Sequence, residues 1–196
     1  MNSGPVKDGI MKLPNASDHR NADHPVESIF VNRWSPRAMS GEPISDEELN
    51  SLFEAARWAP SSYNEQPWRL LYAKRDTALW PRFVDFLVEA NRVWADKAAV
   101  LIAFTGCKSF SRNGKPNPVH VFDCGSAWEN LALQGSKMGL VVHGMAGFDA
   151  DKVKADCKVP DDYSIIAMTA VGHPGDPDAL PENLRKIEVP SPRKPI

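Results

Sequence analysis

Residues 59–68 read Ala-Pro-Ser-Ser-Tyr-Asn-Glu-Gln-Pro-Trp, with a proline near each end and many hydroxyl and amide side chains between them. The prolines predict that a helix ends before this segment and that an extended strand begins after it. A plain turn accounts for the prolines and serines, but it does not account for Asn64 and Gln66 just before Trp68. Such a row of donors and acceptors suits a planar heteroaromatic ligand, whose edge carries carbonyl oxygens and ring nitrogens.

An amphipathic helix is predicted on the N-terminal side of this segment. Ser45 followed by Glu48 is the pattern of a capping box at the helix start, and Pro60 ends the helix. Four apolar residues recur between these points at helical spacing: Leu49, Leu52, Phe53 and Ala56. On the C-terminal side, residues 68–73 (WRLLYA) are short and apolar and predict a strand.

Helices and strands alternate through the following part of the chain. A helix is predicted over residues 79–97, with Pro81 in its first turn. Its apolar face would consist of Phe83, Phe86, Leu87, Ala90 and Trp94. The stretch AVLIAFT, which begins at Ala99, is apolar throughout and predicts a strand that is buried on both faces.

The C-terminal half continues the mixed pattern. Residues 109–118 are rich in turn formers and predict a lid or binding loop. A helix over 120–138 should follow, closed by Gly139 in a left-handed conformation. The remaining predicted elements are a strand over 140–143, a short helix from a cap at Asp149 to about residue 157, and a strand over 164–171.

The chain is predicted to form one domain. Its 196 residues with 42% hydrophobic content are enough for one well-buried core. Residues 1–24 are polar and aperiodic and predict a flexible N-terminal arm, so the domain would span residues 25–196. Within it, residues 173–196 hold six of the 17 prolines and predict an extended tail that must lie on the rest of the domain.

The composition argues against several classes of protein. The 23 Lys and Arg residues nearly balance the 25 Asp and Glu residues, so the net charge of -2 gives no general attraction to nucleic acid or to an anionic membrane. We see neither a signal peptide nor an apolar run near the roughly 20 residues of a membrane span, which predicts a cytoplasmic protein. Three cysteines without a C-x-x-C spacing predict free, buried thiols.

Three other segments carry side chains or backbone suited to a ligand. Arg33, Ser35 and Arg37 lie in a proline-stiffened turn, where two guanidinium groups beside a hydroxyl suit a phosphate or a polyol. A solvated loop is the alternative for this turn. Residues 143–148 (HGMAGF) place two glycines around a strand end, where backbone can approach a ligand closely. In the tail, Arg193 and Lys194 put positive charge on a segment that must dock elsewhere.

In this order, the segments resemble the nitroreductase family. The family's opening Arg-x-Ser-x-Arg turn is matched by residues 33–37, and its Pro-Ser-x-x-Asn-x-Gln-Pro-Trp motif is matched closely by residues 60–68. Residues 91–101 are similar to the family's passage from helix to strand, and residues 139–148 are similar to its Gly-rich flavin edge. The resemblance runs from about residue 25 to the end of the chain.

The resemblance implies an α+β fold with a central, mainly antiparallel sheet flanked by helices. It also implies an intertwined homodimer that holds flavin mononucleotide (FMN) at its interface. The turn would hold the phosphate and the pyrimidine edge through Arg33, Ser35 and Arg37, and Arg193 would close on the phosphate. The partner subunit would reach the flavin with Pro60, Ser61, Ser62 and Asn64. Backbone amides near residues 146 and 147 would face the flavin ring nitrogen that accepts hydride. The implied cofactor-binding residues are Arg33, Trp34, Ser35, Arg37, Pro60, Ser61, Ser62, Asn64, Gln66, Met145, Ala146, Gly147 and Arg193.

The implied reaction is hydride transfer from NADH or NADPH, by way of FMN, to a nitroaromatic, a quinone or a similar small oxidised molecule. The two substrates would use one open flavin face in turn. Because the flavin carries the chemistry, no side chain is assigned as catalytic. Substrate selection would fall to the lid, with Phe110, His120 and Phe122 as candidates.

The sequence leaves other functions open. The same scaffold resembles enzymes that remove halogen from aromatic rings or oxidise peptide heterocycles. A non-catalytic flavin carrier or redox sensor is the alternative from another class. No metal is predicted, because the two Asp-His pairs at residues 18–19 and 23–24 lie in the predicted arm and no helix carries an H-E-x-x-H pattern.

Two further expectations concern the rest of the sequence. No G-x-G-x-x-G follows a strand, so no separate nicotinamide-binding domain is predicted. Four tryptophans at helix positions are predicted to lie in the core: Trp58, Trp80, Trp94 and Trp128.

Overall fold

The computed structural model describes residues 11–195. Its central sheet has four strands: β1 (Trp68–Lys74), β2 (Val100–Cys107), β3 (Val141–Met145) and β4 (Tyr163–Gly172). They lie in the order β1-β2-β4-β3, and every neighbouring pair is antiparallel. The predicted antiparallel sheet is therefore confirmed.

The helices lie on both faces of this sheet. They are α1 (Ser28–Asn32), α2 (Asp46–Arg57), α3 (Trp80–Asp85), α4 (Glu89–Ala95), α5 (His120–Lys137), α6 (Ala150–Asp156) and α7 (Glu182–Arg185). Residues of α2 and α5 form one core with the sheet, whereas residues of α3, α4 and α6 form a second core on the opposite face. Within residues 11–195, none of the helices has the length and apolar character needed to cross a bilayer.

The strand β2 shows why its sequence is an unbroken apolar run. Its side chains alternate between the two cores, with Ile102 and Phe104 in one and Leu101 and Ala103 in the other. Because helices cover both faces of the sheet, neither set of side chains meets water. The prediction of a strand buried on both faces is confirmed.

The residues predicted to begin or end helices are also confirmed. The Ser45 hydroxyl accepts the Glu48 N–H at 3.1 Å and the Glu48 carboxylate accepts the Ser45 N–H at 2.7 Å, which completes the capping box of α2. Gly139 has a φ of 76° after α5, as a left-handed cap requires. Asp149 caps α6 by accepting the Lys152 N–H at 2.9 Å.

The single helix predicted over residues 79–97 is wrong. The chain forms α3 and α4 instead, separated by Val88, which is extended at φ -65° and ψ 154°. There Val88 donates its N–H to the Gly147 carbonyl at 3.2 Å, and Leu87 forms an isolated β-bridge with Phe148. Pairing with a distant segment replaces helical hydrogen bonds at this point, and Ala90 is exposed rather than buried.

The tryptophan predictions are confirmed in part. Trp80 is 8% exposed and Trp94 is 2% exposed, so both belong to the core, and Trp128 packs partly buried against it. Trp58 is 73% exposed, so its prediction is wrong. It lies at the C-cap of α2, where its indole donates to Glu54 at 2.8 Å on the outer surface.

Part of the segment predicted to be a flexible arm lies against the domain. Ala16 is completely buried in a short 3-10 turn, and the Ser17 N–H donates to the Asn32 side chain at 2.8 Å. Residues 1–10 of that segment lie outside the described residues. The domain boundary at residue 25 stays a prediction, although residues 16–20 are anchored to α1 and to the turn that follows it.

Candidate functional site

The turn at residues 33–37 follows directly on α1, whose C-cap is Arg33. The Arg33 guanidinium donates to Ser35 Oγ at 3.3 Å and lies 3.4 Å from the carboxylate of Glu129 on α5. The indole N–H of the intervening Trp34 is buried and meets no acceptor in residues 11–195. A buried donor without a partner is costly, so this N–H marks a place where a ligand acceptor fits.

Arg37 is engaged inside the protein. Glu188, in the C-terminal tail, accepts the N–H groups of Arg37 and Ala38 and lies 3.5 Å from the Arg37 guanidinium. The Glu188 side chain is 2% exposed, so this carboxylate is removed from water. Part of the positive charge of Arg37 is therefore neutralised within the chain. The sequence did not single out Glu188, because it is one acidic residue in an aperiodic tail.

His143 joins this turn to the sheet. Its Nδ1 lies 2.9 Å from the Pro36 carbonyl oxygen, which can only accept, so Nδ1 carries a proton. Its ring packs on Trp94 with centroids 4.5 Å apart. Burial lowers the pKa of His143 below its usual range, and the nearby Arg37 charge lowers it further. A neutral His143 on β3 thus fixes the turn beside the strand that leads to residues 145–147.

A group of three arginines forms around the same turn. Arg20 donates to the Arg33 carbonyl at 2.9 Å and, through Nε, to the Ser191 carbonyl at 2.8 Å. The Ser191 carbonyl also accepts from Arg193 at 3.3 Å. Two predicted phosphate-binding residues, Arg33 and Arg193, are therefore both adjacent to Arg20, which the sequence did not single out. We call Arg20, Arg33 and Arg193 the arginine cluster.

The glycines of residues 143–148 serve packing within the chain. A Cβ on Gly144 would lie 2.9 Å from the Trp128 indole, and one on Gly147 would lie 2.7 Å from the Asn91 amide. The sequence indicated close approach to a ligand, but the close neighbours here are the protein's own side chains. The Gly147 carbonyl accepts from Asn91 at 2.9 Å, whereas its N–H has no acceptor among the described residues.

An apolar pocket of about 330 Å³ opens next to this segment, between α5 and the sheet. Its walls include Trp128, Met145, Ala146 and Ile166. Cys124 also lines the pocket, and burial together with the adjacent Asp123 charge raises the pKa of its thiol to about 12. The thiol of Cys124 is therefore neutral near pH 7. Because the pocket wall is apolar and carries no charge from this thiol, the pocket suits a flat apolar surface.

The segment of residues 60–68 has unusual backbone geometry. Tyr63, Asn64 and Gln66 all have positive φ, between 51° and 55°, although none is glycine. The buried Asp123 of α5 accepts the Ser62 N–H at 3.1 Å, and Ser61 Oγ accepts the Gln66 N–H at 3.0 Å. Residues in such conformations persist only where surrounding structure holds them, and they cluster at functional sites. The Asn64 side chain is left exposed on the surface.

The predicted lid packs against this segment. Arg112 stacks over the Tyr63 ring at 3.9 Å, and Glu65 accepts the Ser111 N–H at 2.7 Å. Phe110 is 8% exposed and meets Tyr63 edge to face at 5.7 Å. The lid therefore buries Phe110 rather than presenting it to solvent.

The other two lid candidates differ from each other. His120 is held by the Asn117 carbonyl at 2.8 Å and by Ser164 Oγ at 3.0 Å, so both ring nitrogens are engaged. Phe122, on the first turn of α5, is 76% exposed. Of the three candidates, Phe122 alone is free to contact another molecule through most of its side chain.

Within one chain, the candidate residues lie in two separate groups. Residues 60–66 lead into β1 at one edge of the sheet, whereas residues 143–147 lie in and after β3 at the other edge. With a spacing of about 4.8 Å between strands, the edges of a four-stranded sheet lie roughly 14 Å apart. In the described part of the chain, no hydrogen bond joins residues 60–66 to the turn at 33–37.

The model of the nitroreductase family matches residues 31–93 and 85–173. The chain belongs to the nitroreductase family. The matched region of this nitroreductase-family chain holds the turn at 33–37, the segment at 60–68 and the strands up to β4. Arg20 and Arg193 lie outside it, so the arginine cluster is completed by both ends of the chain.

Solved structures and a curated relative agree with this membership. A crystal structure described as an oxidoreductase containing FMN is 39% identical, with a TM-score of 0.88, and covers 95% of this chain and 94% of that one. A Streptomyces coelicolor protein provisionally named NADH dehydrogenase/NAD(P)H nitroreductase is 26% identical and covers 78% of this chain and 85% of its own length. A Desulfovibrio desulfuricans candidate nitroreductase in complex with FMN shares the fold at 24% identity, TM-score 0.69, covering 89% and 94%.

Proposed function

We propose that this protein is an FMN-dependent oxidoreductase that passes hydride from NADH or NADPH to a nitroaromatic, a quinone or a similar small oxidised molecule. The arginine cluster, next to the turn that His143 of β3 holds, carries the proposal. Three guanidinium groups with one carboxylate near them, Glu129, favour an anion with two negative charges, such as a phosphate monoester. The FMN contained in the 39% identical structure supports the identity of the cofactor.

The groups around the cluster fit the rest of such a cofactor. The unpartnered indole N–H of Trp34 and the free N–H of Gly147 are donors for the carbonyls and ring nitrogens of a flavin. The apolar pocket beside Met145 and Ala146 suits a flat ring system. FMN, when bound, would supply the redox chemistry, accepting hydride from the nicotinamide and giving it to the second substrate. The protein's residues bind it, orient it and provide positive potential.

We propose that the site is completed in a homodimer. Residues 60–66 lead into β1, at the sheet edge opposite β3, and His143 of β3 bonds the turn that carries Arg33, so one chain does not gather both groups around one ligand. A second copy would bring its own Ser61, Ser62 and Asn64 to the first copy's cluster. The exposed Tyr63 and Phe122, at 73% and 76%, support an interface there, since large apolar side chains gain free energy when they are buried. We also propose a cytoplasmic location.

Alternating use of one flavin face by the two substrates is part of the proposal. The lid that carries Phe110 and Arg112 is fixed to residues 63–65. It would therefore form a preformed wall of the substrate space rather than a loop that closes over each substrate. Once the nicotinamide has given up its hydride, it would have to leave as NAD+ or NADP+ before the oxidised molecule enters.

Spectroscopy and kinetics on the purified protein test these points. We expect a yellow protein that releases FMN, not FAD, on heating and whose flavin absorbance bleaches rapidly on mixing with NADH or NADPH in a stopped-flow instrument. Double-reciprocal plots with a quinone or a nitroaromatic should give parallel lines, and light scattering should give the mass of a dimer. A protein that is colourless as purified, and colourless again after incubation with excess FMN and removal of the free flavin, would refute the cofactor. Bound FMN without bleaching would identify a flavin carrier, and intersecting lines would refute the alternating mechanism.

A further inference from the structure

Arg20 lies outside the matched family region and in the segment that the sequence predicted to be a flexible arm. Its guanidinium nevertheless makes three hydrogen bonds to main-chain carbonyls. Nε donates to Ser191 at 2.8 Å, and Nη1 donates to Val31 at 2.8 Å and to Arg33 at 2.9 Å. One side chain thus holds the end of α1 and the C-terminal tail against each other.

The bonded carbonyls belong to the two segments that carry the other arginines. One is the carbonyl of Arg33 itself, and another, from Ser191, is shared with the Arg193 guanidinium at 3.3 Å. Without Arg20, the exposed tail at residues 191–195 would lose the direct bond between the cluster and its backbone. Glu188 ties the same tail to Arg37 and Ala38, so Arg20 is one of two links that set the positions of Arg33 and Arg193 relative to each other.

The segment that carries Arg20 is itself anchored. Ala16 is fully buried, and the Ser17 N–H donates to Asn32 at 2.8 Å. Burial, followed by the charges of Arg193 and Arg33, lowers the pKa of Arg20. Three like charges repel one another in the folded protein, and the Glu129 carboxylate, 3.4 Å from Arg33, compensates for only part of this. A bound dianion would remove the remaining repulsion.

We propose that Arg20 is a positioning residue for the phosphate of the cofactor. By holding the carbonyls of Val31, Arg33 and Ser191 it would aim the other two guanidinium groups at one phosphate, and it would add its own charge to the field there. The protein would therefore distinguish FMN from riboflavin partly through a residue near its N-terminus. This inference rests on the proposed function, because it takes FMN as the ligand.

A comparison of FMN with riboflavin tests the role of Arg20. Apoprotein of the wild type and of Arg20→Ala is titrated with each flavin, and binding is followed by quenching of flavin fluorescence. The matched control is Arg75→Ala, since Arg75 also donates to main-chain carbonyls, those of Asp96 and Ala98, and stacks over Trp80 at 5.6 Å. Arg20→Lys is included because an ammonium keeps the charge but lacks the planar fork that reaches three carbonyls.

We expect Arg20→Ala to weaken FMN binding by roughly tenfold or more while riboflavin binding stays within about twofold. Arg20→Lys should recover only part of the loss. Arg75→Ala should lower the thermal stability of the apoprotein without changing the ratio of the FMN and riboflavin dissociation constants. If Arg20→Ala does not fold, as judged by circular dichroism, Arg20→Gln gives the same comparison, since an amide can still donate to one carbonyl.

The outcomes separate this inference from the proposed function. If the wild type binds FMN but Arg20→Ala loses FMN and riboflavin affinity equally, Arg20 has only a structural role and the inference is wrong. Unchanged FMN affinity in Arg20→Ala overturns it as well. If the wild-type apoprotein binds neither flavin, the proposed function itself is wrong.

Discussion

Replacing the buried Glu188 by alanine is expected to destabilise the protein strongly. The substitution removes the acceptor of two backbone N–H groups, those of Arg37 and Ala38, and leaves the Arg37 guanidinium without its partner at 3.5 Å. An unsatisfied buried donor costs about 1 to 3 kcal/mol. The Arg37 side chain is 26% exposed and keeps part of its hydration. We therefore expect a loss of about 3 to 5 kcal/mol, in the range for breaking a buried ion pair from one side.

Urea denaturation of the apoprotein, followed by tryptophan fluorescence at one fixed protein concentration, measures this loss. Omitting flavin removes the contribution of ligand binding to the apparent stability, and a fixed concentration keeps the contribution of subunit association the same for every variant. For a domain of this length the same loss lowers Tm by roughly 10 °C. Glu182→Ala is the control, because Glu182 lies in the same tail, has a side chain that is 69% exposed and, among residues 11–195, forms an ion pair only with Lys186 on the surface. Its effect should stay below about 1 kcal/mol.

Glu188→Gln should give an intermediate value, because one oxygen of Glu188, Oε1, accepts both N–H groups, and an amide oxygen in its place can still accept them but carries no charge. A loss below about 1 kcal/mol for Glu188→Ala would contradict the reasoning. It would show that water reaches the N–H groups of Arg37 and Ala38 once the carboxylate is gone, and that the tail does not hold the turn in place.

Other predictions address pH, thiol chemistry and packing. Burial is the main reason why the pKa of His143 is lowered in the folded protein. Below about pH 6.5 the unfolded chain therefore takes up a proton at His143 before the folded protein does, and the free energy of unfolding should decrease as the pH is lowered. His143→Asn, which keeps a donor for Pro36 but cannot take up a proton, should make urea midpoints less dependent on pH between 6.5 and about 5; an unchanged slope would contradict this. The thiol of Cys124, with a pKa near 12, should escape alkylation by iodoacetamide in the native protein and react after unfolding, as peptide mass spectrometry can show. Gly175→Ala would place a Cβ 2.3 Å from the Met39 carbonyl carbon and should cost about 2 kcal/mol or more in urea denaturation, whereas equal stability of variant and wild type would mean that the backbone shifts freely.

Sequence patterns correctly predicted those features that depend on residues close to each other in the chain. The capping box of Ser45 and Glu48, the left-handed cap at Gly139 and the Asp149 cap each depend on groups three residues apart or fewer. The apolar run of β2 predicted its burial, because an uninterrupted series of apolar side chains is stable only where both faces are covered. Helix caps and buried strands can therefore be predicted from the amino-acid sequence.

Two predictions failed, one because a distant segment competed with a local pattern and one because of a position at a helix end. Helical periodicity continues through Val88, but the carbonyl of Gly147 offers its N–H another partner, and the helix breaks. Trp58 has helical spacing too, yet it lies at the helix end, where its indole finds Glu54 on the surface. The first outcome depends on a segment far along the chain, whereas the second depends on where the helix ends.

The amino-acid sequence alone determined the four strands, the helices α2, α5 and α6, and the two motif segments that resemble the nitroreductase family. Only the tertiary structure decided that Arg20 joins Arg33 and Arg193, that Glu188 neutralises Arg37, and that residues 60–66 lie at the opposite sheet edge. The physical reason is the range of the interactions. Helix and strand patterns repeat over a few residues and can be seen in the sequence. The contacts of Arg37 with Glu188 and of Arg20 with Ser191 join residues more than 100 positions apart, and no repeating pattern indicates them. They form because the folded chain brings these segments together.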